Sequence, residues 1–293
     1  MTLASYLQFL FSGLTVGSTY GLTALGFTII FNTTGIINFA QGEFVMLGGM
    51  ASVFCLNVLH FPLPLAVLTA VIGTTLAGAA IERFTIRPVK SPSIIQLIII
   101  TIGMSIVIRG VAMLVWGKDT HALPAFSGET PLHVLGATLM PQSLWIFGVS
   151  LALLAALKAF FSRSVYGKAM LACAHDKKAA SLVGISVQRM ILFSFMISGF
   201  VGSVGGVILA PITMTSYDNG VMLGLKGFAA CILGGLGNPF GAAAGGVIIG
   251  VLESFGAGFV SSAYKDAFAF IVLLALLFVK PSGLFGAKSA KRV

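Results

Sequence analysis

The sequence predicts an all-α fold: a polytopic integral membrane helical bundle of eight or nine spans, with short broken or re-entrant helices and one helix outside the membrane. Of its residues, 57% are hydrophobic and only 9% are charged, whereas a soluble domain carries about 25% charged residues. The mean hydropathy of +1.04 agrees. We expect residues 1–293 to form a single transmembrane domain.

The apolar segments follow one another along the whole chain. The first covers residues 5–31 and lacks a basic n-region or a small-residue cleavage site, so we expect a mature span rather than a cleaved signal. Gly13, Gly17 and Gly21 recur along it and predict a ridge for close helix packing, which small residues permit in lipid. The other candidates cover residues 40–59, 63–81, 94–116, 143–161, 190–211, 224–236, 241–258 and 265–279.

Two apolar runs restart after an asparagine and glycines, in GIINFAQG at residues 35–42 and GLGNPFGAAAG at residues 235–245. This weak internal echo is typical of transporters whose interrupted helices line the path at mid-membrane. Asparagine and glycine are also ordinary turn residues. The segments beside residues 237–241 could be half-spans, one broken helix, or two tilted spans with a tight turn.

Basic residues predict the orientation, because loops rich in lysine and arginine stay in the cytoplasm. Residues 117–142 hold one lysine and suit the outer face. Nine spans counted back from a cytoplasmic C-terminus place the N-terminus outside, and eight place it inside. The predicted cytoplasmic charges are Arg83, Arg87 and Lys90 in one loop, Arg163, Lys168, Lys177, Lys178 and Arg189 in another, and Lys280, Lys288, Lys291 and Arg292 in the tail.

Several classes of function are excluded by composition and motifs. The net charge of +9 lies mostly in loops that flank spans, which argues against nucleic-acid binding. Cys55, Cys173 and Cys231 are too widely separated to suggest disulfides or a metal site. Gly167 and Lys168 do not form a Walker A motif, and no nucleophile elbow or zincin motif occurs. We therefore expect no enzyme activity, no metal and no cofactor, with any ATP used by a partner.

The start of the second span carries three polar side chains. Asn38 is predicted to cap the helix, Gln41 to reach back as in a capping box, and Glu43 to lie in the first turn, where the helix dipole favours an acid. At the water boundary this set is a good helix start, the alternative we favour. Deeper in the membrane, Glu43 would be a costly carboxylate with a functional role.

Other charged residues lie within or beside spans. Arg109 and Glu253 each need a partner or water, although Arg109 could instead snorkel to the outer interface. Lys158 and Lys226 lie near span ends and are expected to be interfacial anchors.

The longest polar interruption, residues 162–189, is the candidate contact with another protein. Val165, Ala169, Ala172 and Cys173 recur at helical spacing and predict a helix. Ala179, Ala180 and Gly184 would give its far end a narrow, small-residue surface. The spacing fits a helix in a partner's groove and a solvated loop equally well.

The segment AASLVG at residues 179–184 resembles the Ala-Ala-x-x-x-Gly core of the coupling loop of ABC importer permeases, which inserts into the ATPase subunit. The usual leading glutamate is Lys178 here, and the later Ile-x-Leu-Pro ending is missing. These departures point to LivH-type permeases of branched-chain amino-acid ABC transporters. Matching segments are GSTYGLTALG at 17–26, INFAQGEF at 37–44, YGKAMLACAHD at 166–176, GGLGN at 234–238 and KPSGLFG at 280–286.

The resemblance covers nearly the whole chain, although the family usually has histidine where Gln41 stands. It implies a permease of the bacterial inner membrane that carries branched-chain amino acids, or related small amides, by alternating access. Its partners would be a second, LivM-like permease, two cytoplasmic ABC ATPases that use the ATP, a periplasmic binding protein, and membrane lipid.

The resemblance also implies roles for particular residues. Those expected to couple to the ATPase are Gly167, Lys168, Ala169, Ala172, Asp176, Ala179, Ala180 and Gly184. Separately, the interrupted helix starts and the charges within spans lead us to expect five residues in the translocation path or its gate: Asn38, Gln41, Glu43, Asn238 and Glu253.

Two functions of other classes remain as alternatives. Asn38-Phe39-Ala40 and Asn238-Pro239-Phe240 faintly resemble the paired half-helix motifs of a self-contained aquaporin-like channel, but neither has the full tripeptide and no filter arginine follows. An ion-coupled secondary transporter would need a defined cluster of buried acids, for which Glu43 and Glu253 alone are thin support.

Overall fold

The computed structural model describes residues 2–89, 93–280 and 282–286, and it confirms an all-α membrane bundle. Lys90, Pro281, Lys288, Lys291 and Arg292 lie outside the described residues, so the prediction for the basic tail is untested there. The helices are α1 (Leu3–Thr34), α2 (Gln41–Asn57), α3 (Leu63–Ile81), α4 (Ile94–Trp116), α5 (Pro141–Arg163), α6 (Val165–His175), α7 (Lys177–Leu182), α8 (Val187–Thr213), α9 (Asn219–Gly234), α10 (Pro239–Phe259) and α11 (Lys265–Val279).

Every predicted apolar segment forms a helix. Seven stretches of the described chain are long and apolar enough to cross a membrane: α1, α4, α5, α8, α10, α3 with the π turn that extends it (Leu63–Ile86), and α11 with the 3-10 turn before it (Ser262–Val279). Helices α2 and α9 are shorter, with 17 and 16 residues. A small antiparallel hairpin, β1 (Leu132–Val134) and β2 (Ala137–Leu139), interrupts the segment before α5.

Helix α1 is the central helix, and it packs antiparallel against α10 along the predicted glycine ridge. A Cβ atom added to Gly13, Gly17 or Gly21 would approach the α10 backbone, at 2.6 Å from Val251 Cα, 2.8 Å from the Gly246 carbonyl oxygen and 3.0 Å from that of Ala243. Lipid tails are as apolar as the side chains, so close packing must supply the attraction between helices. The ridge prediction is confirmed.

Helices α9 and α10 form a tight antiparallel hairpin, which excludes one broken helix among the three alternatives for the short segments. Their backbones touch where Gly234 faces Gly241 and where Ala230 faces Gly245. The chain reverses between them through Gly235 and Gly237, whose φ angles of 106° and 89° are accessible to glycine at little cost. The segment is therefore two helices and a turn.

The bundle has two chemically different ends. At the basic end, Lys177 Nζ donates to the carbonyl oxygen of Thr34 at 2.5 Å, and Asn32 Nδ2 donates to that of Gly237 at 2.9 Å. At the opposite, hairpin end, the backbone N–H of Thr138 donates to Gln8 Oε1 at 2.7 Å. Helix α1 begins at the hairpin end, and the segment after α11 returns to the basic end, where Leu284 N–H donates to the carbonyl oxygen of Leu233. This arrangement fits nine crossings rather than eight.

The α1–α10 contact predicts the effect of a larger side chain at Gly17. Gly17→Leu should lower the stability of the purified protein by about 1–3 kcal/mol or more, because the new side chain overlaps the α10 backbone. The matched control is Gly73→Leu in α3, where a Cβ meets no atom within 4 Å. Thermal unfolding in detergent measures both. Equal melting temperatures for the two variants would show that the ridge does not hold α1 to α10.

Candidate functional site

Helix α2 begins inside the helical bundle. Its first residues are held at depth by neighbouring helices, because the Gln41 side chain lies against Gly26, and Gly26 is eight residues before the end of α1. At 1.5 Å per residue this is about 12 Å from that end. Asn38 and Gln41 are fully buried and Glu43 is 1% exposed. The helix start is therefore enclosed by protein, which fits the deeper alternative better than the favoured one at the water boundary.

The polar contacts of this helix start differ from the predicted capping box. Helix α2 begins at Gln41, with Ala40 rather than Asn38 as its cap residue. Asn38 Oδ1 accepts from the N–H of Ala40 at 3.1 Å, which forms a local turn, and Gln41 turns away to bond Ser198 of α8. A capping box needs Gln41 to reach back to the cap residue, but its amide is bound to another helix instead.

Glu43 has two partners on α4. The hydroxyl of Ser105 donates to Glu43 Oε1 at 2.8 Å, and Arg109 Nε lies 3.5 Å from the same oxygen. Side chains on a helix tilt toward its N-terminus, and α4 begins after the basic loop, so Arg109 points into the bundle rather than snorkelling outward past Trp116. The pair keeps a carboxylate and a guanidinium together within the spans, where an isolated charge is costly.

A second helix start also reaches Glu43. Helix α9 begins at Asn219, and a Cβ on Gly220 would lie only 2.3 Å from Glu43 Oε2. Gly42 of α2 packs against Gly220 and Gly224 in the same way. The positive ends of α2 and α9 therefore meet beside one carboxylate, which both helix dipoles favour. Glu43 Oε2 and Asn38 Nδ2 have no hydrogen-bond partner among the described residues.

Glu253 belongs to a different charged cluster, toward the hairpin end. Lys226 Nζ lies 3.0 Å from Glu253 Oε1 and 2.6 Å from Asp266 Oδ1, and Tyr20 donates to Glu253 at 3.2 Å. Lys265 lies 3.3 Å from the same Glu253 oxygen. Lys226 is only 5% exposed. The prediction of an interfacial anchor is therefore wrong for Lys226, because α1, α10 and α11 enclose its side chain.

Asn238 lies apart from both clusters. Its Oδ1 accepts from the N–H groups of Phe240 and Gly241, both at 3.1 Å, so Asn238 caps α10 at the basic end. Its amide also donates to the carbonyl oxygen of Phe285. The structure therefore does not bring Asn238 together with Asn38, Gln41 and Glu43, and the sequence echo does not correspond to two equivalent buried helix starts.

The predicted coupling segment forms two short helices against the basic end. Met170 and Cys173 of α6 and Ala180 of α7 join the apolar cluster that contains Leu25 and Ile29 of α1. Gly167 lets α6 fold back on α5, since a Cβ there would lie 2.3 Å from the carbonyl oxygen of Phe160. The helical prediction for this segment is confirmed.

Helix α7 is fixed at its start by two charged side chains. Asp176 accepts from the N–H groups of Lys178 and Ala179 at 2.7 and 3.0 Å. These backbone hydrogen bonds lower the pKa of Asp176, and the cap is lost as the pH falls below the usual aspartate range. Burial lowers the pKa of Lys177, which ties α7 to the end of α1.

Burial divides the predicted coupling residues into three groups. Gly167 and Ala180 are buried against the bundle, and Ala169 and Ala172 are half-buried there. The exposed members are Lys168, Asp176, Ala179 and Gly184. The outward surface also carries Leu182 and Val183, which are 88% and 77% exposed. The exposed surface of α7 therefore differs from the predicted narrow surface of small residues, because Ala180 faces the bundle.

Sequence reasoning missed the partners of the buried polar side chains. Ser105, Ser198, Tyr20 and Asp266 bond the singled-out side chains but received no role. The available signal was a single polar residue at the middle of an apolar run, as at Ser105 and Ser198. Neither the sequence spacing nor the hydropathy shows which side chain each of these groups bonds.

Comparison with known proteins gives consistent matches. The family model for the branched-chain amino acid transport system permease component matches residues 9–277. The chain is 35% identical to the high-affinity branched-chain amino acid transport system permease protein BraD of Pseudomonas aeruginosa, over 98% of each protein. It is also 35% identical to LivH of Salmonella typhimurium, again over 98% of each.

A solved structure shares the fold. PsaBC from Streptococcus pneumoniae in complex with Fab aligns with a TM-score of 0.53 over 96% of this chain and 97% of that one, at 15% identity.

The contacts of Glu43 predict a coupled effect of two substitutions. Glu43→Gln should destabilise the protein by more than the roughly 0.3–1 kcal/mol of a lone helix-dipole interaction, because it leaves the Arg109 charge without its acid. Adding Arg109→Gln should restore part of the loss. Thermal unfolding of the two single variants and the double variant measures the coupling. Strictly additive effects would show that the two side chains do not interact.

Proposed function

Since the chain belongs to the family of branched-chain amino acid transport system permease components, we propose that it is the membrane permease subunit of an ABC importer for branched-chain amino acids or closely related small amides. Family membership makes it a transport subunit rather than an enzyme. Neither a self-contained channel nor an ion-coupled transporter is favoured, because the similarity to this family extends over nearly the whole chain.

The observation that carries the proposal is the α6–α7 segment. It is a folded, basic pair of helices outside the spans, and it presents the outward apolar side chains of Leu182 and Val183. A water-exposed apolar pair on an ordered helix end is typical of a surface that a partner covers. We assign a cytoplasmic ABC ATPase as that partner, and ATP is then used there and not by this chain.

The remaining partners follow from the importer scheme. A second, LivM-like permease completes the membrane unit, a second ATPase pairs with the first, and a periplasmic binding protein delivers the cargo at the hairpin end. We place the basic end and the C-terminus in the cytoplasm of a bacterial cell, with the spans in the inner membrane, because positive charge is retained on the cytoplasmic side.

The mechanism would be alternating access. Movement of the ATPases is passed to the bundle through α7, because Lys177 joins that helix to the end of α1 and Ala180 packs beneath it. Helix α1 in turn contacts α2, α8, α9 and α10. Small-residue contacts allow such helices to move as rigid bodies.

We assign the gate to the meeting point of the α2 and α9 helix starts. Glu43 lies there, and Asn38 and Gln41 precede it in the chain. Irregular backbone within a membrane is tolerated where it is enclosed by protein or lines a cavity. Glu253 is assigned to the path at the hairpin end. Asn238 would act at the basic end, where its side chain caps the start of α10 and holds the turn between α9 and α10.

The ATPase contact predicts the effect of a charge at Leu182. Leu182→Asp should abolish ATP-driven uptake of leucine into proteoliposomes by lowering association with the ATPase, since a charge buried without a partner is strongly unfavourable at an interface. The matched control is Leu135→Asp at the hairpin end, where the leucine is 77% exposed. Both variants should insert normally, because insertion depends on the spans and their flanking basic residues.

Crosslinking gives the direct measurement for this contact. Cysteines at Ala179 and Leu182, in a background without Cys173, should crosslink to the ATPase, whereas a cysteine at Leu135 should not. Ala180 is unsuitable because it is 3% exposed. If the α7 cysteines react with water-soluble reagents but never with the ATPase, the assignment of this surface is wrong.

A further inference from the structure

A cavity of about 360 Å³ opens between α1 and α10 toward the hairpin end of the bundle. This end is opposite to α6 and α7, because the cavity is lined by the first turns of α1 and the last turns of α10. Its volume lies at the lower end of the range for small-ligand pockets. The cavity is therefore large enough for a molecule of amino-acid size.

The cavity wall combines an acid and a base with unused bonding capacity. Glu253 is fully buried, and its Oε2 has no hydrogen-bond partner among the described residues. Lys265 has a half-exposed side chain and pairs there only with Glu253, at 3.3 Å. Lys226 has a second acid to balance its charge, since Asp266 Oδ1 lies 2.6 Å from Lys226 Nζ. Glu253 and Lys265 are thus the pair available to a ligand.

The rest of the wall is part polar and part apolar. The hydroxyl groups of Ser12 and Ser254 line the cavity beside Glu253, and Phe9, Val16 and Ala257 supply apolar surface. Hydroxyl groups can donate to a carboxylate and accept from an ammonium group. A ligand with both charges and a short apolar side chain would find a partner for each part.

Simpler ligands fit less well. A metal cation needs several oxygen ligands, but the cavity offers one carboxylate and places Lys265 beside it. An anion alone would be repelled by Glu253. An uncharged apolar molecule would leave Glu253 Oε2 without a hydrogen-bond partner, which is costly away from water. The charge pair therefore selects a dipolar molecule.

We infer that this cavity binds a zwitterionic apolar amino acid, with its ammonium group at Glu253 and its carboxylate at Lys265, as a receiving site at the hairpin end of the permease. This inference rests on the proposed importer function and adds the location and the head-group chemistry of the cargo site. The apolar side chain would lie against Phe9, Val16 and Ala257.

The test uses the complete transporter in nanodiscs without binding protein, with radiolabelled leucine as the probe. Leucine should bind saturably, with one site for each copy of this chain. Leucinamide, which lacks the carboxylate, and 4-methylpentanoate, which lacks the ammonium group, should each compete about tenfold less well or worse, since each loses a hydrogen bond to a charged group.

Variants separate ligand contact from folding. Lys265→Gln should weaken leucine binding about tenfold while leaving leucinamide unchanged, because only leucine has a carboxylate to lose. Ala257→Leu fills the cavity without changing a charged residue. It should weaken the binding of both leucine and leucinamide. Its matched control is Ala263→Leu, at an exposed position outside the cavity, which should bind as the unaltered protein does.

The outcomes distinguish this inference from the proposed function. ATP-driven leucine uptake with binding protein, but no saturable leucine binding to the complex alone, would overturn the cavity site and leave the importer function standing. Equal competition by leucine and leucinamide, or unchanged binding in Ala257→Leu, would also overturn it. Absence of uptake of every branched-chain amino acid by the complete system would refute the importer function and, with it, this ligand.

Discussion

The close approach of α1 to α10 is the contact on which the rest of the bundle depends. Gly17 and Gly246 face each other so closely that a Cβ atom on either would overlap backbone atoms of the other helix. In lipid, where burial of apolar side chains gives no net drive between helices, backbone contact of this kind supplies dispersion energy over a long seam. Helix α1 also contacts α5, α6, α8 and α9. The α1–α10 contact therefore sets the position along the bundle axis at which those helices pack against α1.

The axial positions of the helices around α1 explain where the buried charges lie. Gly26 of α1 leaves room for the Gln41 side chain, which holds the start of α2 at depth, and Tyr20 reaches Glu253 on α10. Glu43 and Glu253 then each meet a base, which is Arg109 for Glu43 and Lys226 for Glu253. Well-packed apolar residues would often be equally stable at such places. The two charged clusters within the spans are therefore weak evidence for stability, and the proposed function gives them a role in transport.

The two ends of the bundle are chemically distinct and are joined through α1. At the basic end, Thr34 receives a hydrogen bond from Lys177 of the coupling segment; at the hairpin end, Ser12 and Val16 line the cavity beside Glu253. A helix of 32 residues that touches both ends offers a direct mechanical link between the proposed ATPase contact and the proposed cargo site. The gate proposed at Glu43 lies between them, where the α2 and α9 helix starts meet.

The sequence by itself determined the helical class, the position of the apolar helices, the glycine ridge of α1 and the helical structure of α6 and α7. Hydropathy, small-residue spacing and helical periodicity are local properties of the chain. Only the tertiary structure decided that Gln41 bonds Ser198 and not its own helix start, that Ala180 faces inward, and that Lys226 is buried. Partners such as Tyr20 and Glu253, 233 residues apart, or Ser105 and Glu43, 62 residues apart, meet because of how each helix is rotated and at what depth it packs. Rotation and depth are set jointly by all the neighbouring helices, so no single segment of sequence contains them.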